Sequence, residues 1–388
     1  MTGRIDQTID RAVAASIVPG AVAVVGDHDR VLYERSVGRL SVDGFEPART
    51  DTMVWFASMA KPITSVAALQ LVERGNLGLD QPVASALPAF GALRVLEGFD
   101  GDRPRLRAPA RQATVRHLLT HTAGLAYWFT SAEALRYHEL AGIDPFAGGR
   151  AVLRVPLVAD PGTRWEYGTS TDWLGQVVEA VSGEDLASYC KRRIFGPLGM
   201  PDATFRPTEA QLGRLMDVHA RTPDGGLARA PLEFAEPEFF SGGHGLFATA
   251  GDYLRFLRAL LRGGELDGER ILRPETVDLA FANQLDGAAF PTPRWRTAVP
   301  ELSNDVQPRP FAQGWGLGFQ LTLEDVPGMR RAGSGDWAGL CNCYFWIDRA
   351  AAIAAALATQ VLPFYDERIV QTLVDFERAV YGELVAGG

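Results

Sequence analysis

The sequence predicts a single α+β domain over residues 1–388, an α/β sandwich in which helices flank one antiparallel sheet. Runs with a strand pattern occur near both ends of the chain, whereas helical periodicity dominates the middle. Strands at both ends are most simply joined in one sheet that the first and last helices cover. We therefore expect an α/β lobe of residues 1–57 plus 313–388, a mostly helical lobe of residues 58–312, and a cleft between them.

The first predicted element is an amphipathic helix over Ile5–Ile17. Two β-rich runs follow, Gly20–Val25 and Val31–Val37, and the polar residues 26–29 separate them. Two such runs joined by a short polar turn predict a β-hairpin.

A helix that is apolar on nearly all sides is predicted from Ser58 to about Arg74. Pro62 fits this helix only in its first turn, where a backbone amide has no helical partner. Ser58 is therefore expected at or near the start of the helix.

The middle of the chain alternates helical segments with loops rich in Gly and Pro. Its two longest irregular stretches are predicted to be surface loops that wall a site. The predicted helices are Val115–His121, Asp172–Ser182, Asp185–Ile194 and Ala250–Arg262, and the predicted loops are Phe205–Phe240 and Leu285–Ala312.

Strand patterns return near the C-terminus, before a last helix over Glu367–Leu384. Apolar residues at spacings of 4, 3 and 4 give this helix one face that can pack on the sheet. The predicted strands are Gly316–Leu323, Met329–Ala332, Gly339–Ile347 and Ala352–Thr359.

The composition excludes several classes of protein. The 388 residues are 47% hydrophobic and 22% charged, which is typical of a globular protein. The net charge is −9 and cations are not clustered, so we expect no nucleic-acid partner. The longest strongly apolar stretch, Ala351–Ala358, is far shorter than a bilayer span, and the first residues lack the apolar core of a signal peptide. We therefore expect a cytoplasmic protein without a membrane partner.

Neither a disulfide framework nor a metal site is expected. Cys190, Cys341 and Cys343 are too few for a framework, and Cys341 and Cys343 are best explained by packing. His117 and His121 have the i, i+4 spacing of a metal pair, but the Glu of a metalloprotease motif is missing. We expect no metal and no cofactor.

Lysine is rare enough to be informative. Of the 38 basic residues 36 are Arg, and the two Lys are Lys61 and Lys191. Ser58 and Lys61 lie at i, i+3, which puts a hydroxyl one helical turn from an amine. An amine held out of water favours its neutral form and can accept the hydroxyl proton, so this pair is a candidate nucleophile and base.

The same spacing occurs a second time, at Ser188 and Lys191. Lys191 precedes two Arg in the last turn of a polar helix, where cations are stabilised by the helix dipole, and this explains it without catalysis. Ser58 instead opens the most apolar helix of the chain. Ser58 and Lys61 are therefore the candidates.

Tyr167, in a loop that leads into a helix, completes a wider pattern. With Ser58 and Lys61 it resembles the serine β-lactamase and penicillin-binding protein superfamily, in which S-x-x-K is followed by Y-x-N and then K-T-G. The resemblance is nearest to its class C members and covers most of the chain, including residues 114–125, 195–200 and 241–246. It implies a β-lactamase/transpeptidase-like fold.

Within this superfamily the chain resembles the family VIII carboxylesterases most. These carry Y-x-x and W-x-G, which here are residues 167–169 and 337–339. The resemblance implies that Ser58 is the acylated nucleophile, that Lys61 and Tyr167 share its proton, and that the backbone N–H groups of Ser58 and Leu340 form the oxyanion hole. The expected substrate-binding residues are Trp337, Gly339, Thr169, Tyr127 and His244.

The departure at Trp337 predicts the substrate class. In the superfamily the Lys of K-T-G helps to hold a substrate carboxylate. Here Trp337 stands in the place of that Lys, and Asp336 precedes it. Loss of a charge-assisted contact costs about 1.5–3 kcal/mol, and we expect Asp336 to add to that cost by repelling a carboxylate, whereas a neutral ester loses nothing. Arg330 or Arg331 is an alternative carboxylate contact. We expect hydrolysis of small-molecule carboxylic esters.

Three alternatives stay open. The first is a β-lactamase or D-stereospecific peptidase, the second a transacylase, and the third a scaffold or sensor that keeps the fold without catalysis. An α/β-hydrolase is rejected because no G-x-S-x-G occurs. The natural ester and the oligomeric state are not predicted.

Overall fold

The protein is described by a computed structural model over residues 3–230, 237–285 and 295–385. Its α-helices are α1 (Gly3–Ala14), α2 (Ala60–Glu73), α3 (Val83–Ala86), α4 (Val115–Leu119), α5 (Ala132–Ala141), α6 (Ser170–Ser182), α7 (Leu186–Cys190), α8 (Glu209–Leu212), α9 (Ala250–Leu261), α10 (Pro274–Ala280) and α11 (Glu367–Val380). Short 3₁₀ segments cover Pro88–Ala92 and Arg150–Arg154, and π-helical turns cover Lys191–Phe195 and Tyr381–Val385.

The strands form one large sheet and several small ones. They are β1 (Gly20–Gly26), β2 (Val31–Gly38), β3 (Met53–Ala57), β4 (Val95–Asp100), β5 (Arg103–Arg107), β6 (His219–Arg221), β7 (Leu227–Arg229), β8 (Leu246–Thr249), β9 (Glu265–Leu266), β10 (Glu269–Arg270), β11 (Gln313–Trp315), β12 (Gln320–Thr322), β13 (Gly335–Gly339), β14 (Cys343–Asp348), β15 (Ile353–Ala358) and β16 (Val361–Leu362).

The large sheet joins the two ends of the chain. Its order is β11-β12-β13-β14-β15-β1-β2, and every neighbouring pair is antiparallel. β1 pairs with β15 in the register Ala23 to Leu357, although more than 300 residues separate them in sequence. The predicted α+β class, with one sheet built from both chain ends, is confirmed.

Helices cover both faces of this sheet. β1, β14 and β15 are buried at every position, which requires cover on both sides. α1 and α11 contact each other, and α9 packs on β1, β14 and β15. The predicted first and last helices, the first hairpin and the buried helix that follows Ser58 are all present, and Pro62 lies in the first turn of α2.

Two of the predicted C-terminal strands are shorter than expected, because turns at residues with positive φ lie within them. The predicted strand Gly316–Leu323 begins only at Gln320, because residues 316–319, with Gly318 at a φ of +99°, form the turn from β11 into β12. The predicted strand Gly339–Ile347 begins only at Cys343, since Asn342 at φ +58° makes a tight turn. The strand predicted for Met329–Ala332 is wrong, because these residues lie in a turn region.

The middle of the chain is more regular than predicted. α5 was not expected; Ser131 caps its start and Gly142, at φ +63°, ends it. The stretch 205–240 contains α8, β6 and β7, so its prediction as an irregular loop is wrong there. Residues 231–236 of that stretch, and residues 286–294 of the second predicted loop, lie outside the described residues. The division into lobes stays a prediction.

No helix within the described ranges is long and apolar enough to cross a membrane.

Candidate active site

Ser58 lies where a short strand meets the most buried helix. β3 pairs with β8, and the register shifts between Trp55 and Ala57. Ala57 has a φ of +45°, which is unusual for a residue with a side chain. Ser58 follows directly, two residues before α2 begins at Ala60. This bend directs the chain from the strand into the helix and brings the Ser58 side chain to the wall of a pocket.

Lys61 is the buried partner of Ser58. Its side chain lies in the first turn of α2 and the residue is 1% exposed. The Lys61 Nζ atom is 3.1 Å from Ser58 Oγ, 3.0 Å from the Tyr127 hydroxyl and 2.8 Å from the Gly243 carbonyl oxygen. Burial lowers the pKa of Lys61 to about 7, and the charge of Asp172 opposes that shift. A neutral amine is therefore well populated at neutral pH.

Tyr167 lies next to Ser58 and is also buried. Its hydroxyl accepts a hydrogen bond from Trp337 Nε1 at 3.3 Å. Burial raises the pKa of the Tyr167 phenol, and hydrogen bonds with Ser58 and Trp337 act against that rise. The Lys61 Nζ atom is 4.8 Å from the centre of the Tyr167 ring. A neutral phenol next to Ser58 can donate a proton to a departing group.

A glycine allows Tyr167 to take this position. A Cβ atom on Gly168 would lie 2.2 Å from the Leu125 carbonyl oxygen. The backbone of Tyr127 also donates to the Tyr167 carbonyl at 3.0 Å. The tyrosine loop is thus held directly against residues 125–127.

Ser58 and Leu340, which are expected to supply the oxyanion-hole N–H groups, lie at the same pocket. Both residues line the pocket, and in the described part of the chain neither N–H donates a hydrogen bond. β13 approaches β3 so closely that a Cβ atom on Gly339 would lie 2.3 Å from the Phe56 carbonyl oxygen. This approach places the residue after β13 near the residue after β3. Two uncommitted N–H donors at one site are what an oxyanion requires.

Seven of the fifteen residues that line the pocket beside Ser58 are aromatic. It encloses about 490 Å³ of empty space, including open solvent at its mouth. Trp337 and Gly339 line it, as the substrate-binding prediction requires of them. Its other walls include Phe129, Trp295, Val306, Arg309, Tyr344 and Phe364.

Thr169, Tyr127 and His244, also expected to bind substrate, do not line this pocket within the described residues. Thr169 precedes α6, and its carbonyl accepts from the Trp173 backbone. Tyr127 lies beside Lys61, and His244 lies farther back, where its Nδ1 is 2.8 Å from Ser241 Oγ. Burial lowers the pKa of His244.

A buried carboxylate that the sequence analysis missed lies behind Lys61. Asp172, in the first turn of α6, accepts hydrogen bonds from the Ser241 hydroxyl, from Gly243 N at 3.1 Å and from the Tyr127 hydroxyl at 3.4 Å. The structure singles it out as a charged residue in a helix whose first nine positions are all buried, and the sequence alone does not show that burial. Ser241 was not predicted either.

Asp336 and Arg330 do not have the roles expected of them. Arg330 is buried and bonds Glu377 and Asp336, so it does not reach the pocket as a carboxylate contact. Arg309 also donates to both oxygens of Asp336, at 2.8 and 3.0 Å. Two guanidinium groups therefore compensate Asp336, and the expectation that it repels a substrate carboxylate is wrong. Arg331 is exposed and bonds the Ala350 carbonyl.

The second S-x-x-K pair differs from the first. Ser188 Oγ donates to Asp185 at 2.7 Å, in the cap of α7, and Lys191 is exposed.

The three cysteines are buried and free. Within the described ranges no cluster of His, Cys, Asp or Glu has the arrangement of a metal site.

Comparison with known proteins gives consistent matches over the whole chain. A family model described as Beta-lactamase matches residues 5–379. Monacolin J acid methylbutanoyltransferase of Aspergillus terreus is 34% identical, over 97% of this chain and 95% of that protein. Lovastatin esterase of Penicillium rubens is 33% identical, over 97% of each. A solved LovD6 mutant of simvastatin synthase from Aspergillus terreus has a TM-score of 0.86 and 33% identity, covering 99% of this chain and 97% of that one.

Proposed function

Since this chain belongs to the beta-lactamase family, we propose that it is a serine enzyme that cleaves carboxylic esters of small molecules through an acyl-enzyme on Ser58. Relatives named as an acyltransferase and as an esterase support the coarser part of this proposal, an enzyme of acyl transfer. The finer part, a carboxylesterase similar to family VIII, is supported by the W-x-G sequence at residues 337–339.

The observation that carries the proposal is the contact between Ser58 and Lys61. An amine buried to 1% exposure and 3.1 Å from a serine hydroxyl is an arrangement for removing the hydroxyl proton. The corresponding contact at Ser188 is absent from the described structure, because that hydroxyl donates to Asp185.

The proposed reaction has two stages. In the first, Ser58 Oγ attacks the ester carbonyl carbon while its proton passes to Lys61, and the N–H groups of Ser58 and Leu340 stabilise the oxyanion. The bond to the alcohol then breaks, and the alcohol leaves with a proton that Tyr167 donates and Lys61 replaces. In the second stage water attacks the acyl carbon, its proton returns through the same groups, and the acid is released from Ser58.

A neutral substrate is favoured by the charges in the pocket. Among its described lining residues Arg309 is the cation, and both of its terminal nitrogens donate to Asp336. The compensated pair offers little to a substrate carboxylate, and the aromatic walls suit an apolar acyl or alcohol group. A β-lactamase or D-stereospecific peptidase is therefore the less favoured alternative.

Acyl transfer to an alcohol is the second candidate function. The methylbutanoyltransferase relative supports it, because that protein is named as a transferase and is similar over 97% of this chain. Hydrolysis and transfer share the first stage and differ in whether water or an alcohol accepts the acyl group. Adding butanol and measuring butyl ester against free acid separates the two.

The test is hydrolysis of p-nitrophenyl butyrate by the wild type, Ser58→Ala and the matched control Ser188→Ala. We expect activity to be lost in Ser58→Ala and kept in Ser188→Ala. A fluorophosphonate should also label Ser58, as located by peptide mass spectrometry. Turnover that survives Ser58→Ala would overturn the mechanism, and no turnover with no labelling would favour a scaffold or sensor. The cytoplasmic location stays a prediction.

A further inference from the structure

We propose that Asp172 is a positioning residue that orients the hydrogen bonds around Lys61 so that the amine accepts the Ser58 proton. The inference rests on the proposed roles of Ser58 and Lys61. It concerns a carboxylate that does not line the substrate pocket and acts through its neighbours.

Asp172 is buried and surrounded by donors. It is 2% exposed, and no salt bridge joins it to a cation within the described residues. Gly243 N–H can only donate, and it meets Oδ1 of Asp172 at 3.1 Å. The Ser241 hydroxyl meets the same oxygen, and the Tyr127 hydroxyl meets Oδ2 at 3.4 Å. A carboxylate accepts from all three, because as an anion it has no proton to give.

The direction of these hydrogen bonds determines which atoms Lys61 can donate to. The Tyr127 hydroxyl has one proton, and if that proton is directed to Asp172 the oxygen can only accept from Lys61 Nζ, 3.0 Å away. The Gly243 carbonyl, at 2.8 Å, also only accepts. A neutral amine has two N–H groups and one lone pair. With both N–H groups committed, the lone pair is left for the third neighbour, the Ser58 hydroxyl at 3.1 Å.

Asp172 also fixes the second acceptor of the lysine. Its bonds to Ser241 and to Gly243 N hold the turn before β8, and that turn presents the Gly243 carbonyl to Lys61. A Cβ atom on Gly243 would lie 2.5 Å from Asp172 Oδ2 and 2.8 Å from the Tyr127 hydroxyl oxygen. A side chain at this position would displace Asp172 or the Tyr127 hydroxyl. One carboxylate on α6 thus sets both hydrogen-bond acceptors of a lysine on α2.

The charged and titratable groups around Lys61 define the expected pH effect. Tyr127 and Tyr167 face it, and both are phenols whose pKa is raised by burial. His121 and His244 also act on this region, and burial lowers the pKa of each. Asp172 is the anion among these groups and raises the pKa of Lys61 against the effect of burial. Removing its charge should therefore lower the pKa of Lys61.

The test is Asp172→Asn, which keeps the shape and removes the charge. We expect kcat/KM for a neutral ester to fall about 100-fold, within the roughly 10²–10⁴ that a positioned base contributes. We expect KM to change by less than about threefold, since Asp172 does not contact the substrate. The acid limb of the pH profile should also move to lower pH, which a merely structural role would not cause.

The matched control is Asp252→Asn, which removes another buried carboxylate from the first turn of a helix, α9. It should leave the acid limb unmoved. Tyr127→Phe provides a second variant in case Asp172→Asn does not fold, because it breaks the same connection while keeping the carboxylate. It should lower kcat/KM and, because the charged form of Lys61 loses one of its hydrogen-bond acceptors, move the acid limb in the same direction. The double variant should lose less than the product of the two single losses.

The outcomes separate this inference from the proposed function. If Ser58→Ala and Lys61→Met keep their activity, the proposed function itself fails. If those two lose activity while Asp172→Asn, or Tyr127→Phe in its place, keeps both the wild-type rate and the wild-type acid limb, the positioning role alone is overturned. A reduced rate with an unmoved acid limb in Asp172→Asn also overturns it.

Discussion

Lys61 is a charged type of residue in an environment that disfavours charge. It lies in a helix whose first twelve residues are buried, and it contacts two tyrosine rings and a carbonyl oxygen. Burial alone would disfavour the protonated form of the Lys61 amine. The contacts of the amine determine how much of that form is populated. The proposed base therefore depends on neighbours from several segments as much as on its own position.

This environment predicts a pH dependence. The neutral amine is the form that accepts the Ser58 proton, and the pKa of Lys61 is lowered to about 7. The value of kcat/KM for a neutral ester should therefore fall about tenfold per pH unit below pH 6 and level off above pH 8. A pH–rate profile with stopped aliquots checks this. A flat profile from pH 5.5 to 8.5 would contradict the assignment of Lys61 as the base.

Individual site residues differed in how far the sequence could predict them. The Ser58–Lys61 contact was predictable because a residue just before a helix lies close to the residue three positions later, in the first turn. Tyr167 and Leu340 were reached only through resemblance, since nothing local distinguishes a loop tyrosine or the residue after a W-x-G. Asp172 and Ser241 were not predicted, because their contact joins α6 to the turn before β8, 69 residues away.

At the scale of elements, β13 was not among the predicted strands, because its sequence is rich in glycine. Residues 333–339 are rich in Gly and read alone as a turn, but residues 335–339 form a strand between β12 and β14. The glycines are required by close contacts instead. A Cβ atom on Gly335 would meet the Phe281 ring at 2.6 Å, and one on Gly339 would meet the Phe56 carbonyl at 2.3 Å.

Gly339→Ala should therefore disable the site. The added methyl group forces β13 away from β3 and separates the N–H groups of Ser58 and Leu340. We expect kcat/KM to fall at least 100-fold, as for loss of an oxyanion donor, and the free energy of unfolding to fall by about 1–3 kcal/mol. Gly382→Ala, where no atom lies within 4 Å, is the control and should change stability by about 0.5 kcal/mol or less. Equal behaviour of the two variants would contradict the close approach.

The last helix is attached to the site strand through buried charges. Glu377 of α11 accepts from Arg330 Nε at 2.8 Å and Nη2 at 2.6 Å, and Arg330 Nη1 donates to Asp336 of β13. The amphipathic pattern of α11 predicted its packing face, but not this pair, because Glu377 is a polar residue adjacent to that apolar face.

Glu377→Gln should be strongly destabilising, since it leaves the Arg330 charge partly uncompensated in the interior. We expect a loss of about 3–5 kcal/mol in the free energy of unfolding, measured by urea denaturation. Arg378→Gln changes the next residue of the same helix, which is exposed, and should have a small effect. A loss below 1 kcal/mol in Glu377→Gln would show that the pair contributes little.

At the scale of the whole molecule, the site depends on segments that are distant in sequence. Ser58, Tyr167 and Leu340 come from separate parts of the chain, and the large sheet that carries β13 is completed by β1 and β2. The overall class was predictable because the strand patterns near each end of the chain are strong. Two separate sheets, one from each end, would leave more strand edges unpaired than one joint sheet. Short strand pairs such as β3 with β8 were not predictable, because strands of two to five residues are too short to show a clear alternating pattern.

This interdependence predicts one cooperative unfolding transition. Tryptophans occur in the sheet strands, at Trp337 and Trp346, and in the inserted segment, at Trp165 and Trp173. Fluorescence and far-UV circular dichroism should therefore report the same urea midpoint. Two separated transitions would instead show that the two predicted lobes unfold independently.

The scarcity of lysine has a practical consequence for handling the protein. Lys61 is enclosed by protein and Lys191 is exposed, so the side chains offer amine-reactive reagents essentially one target. Once any free terminal amine has been blocked near neutral pH, where it reacts before an exposed lysine, a succinimidyl ester should attach a dye or a solid support at Lys191 while Ser58 stays unmodified. Attachment through this one side chain should hold every molecule in the same orientation, because the arginine side chains do not react with the ester.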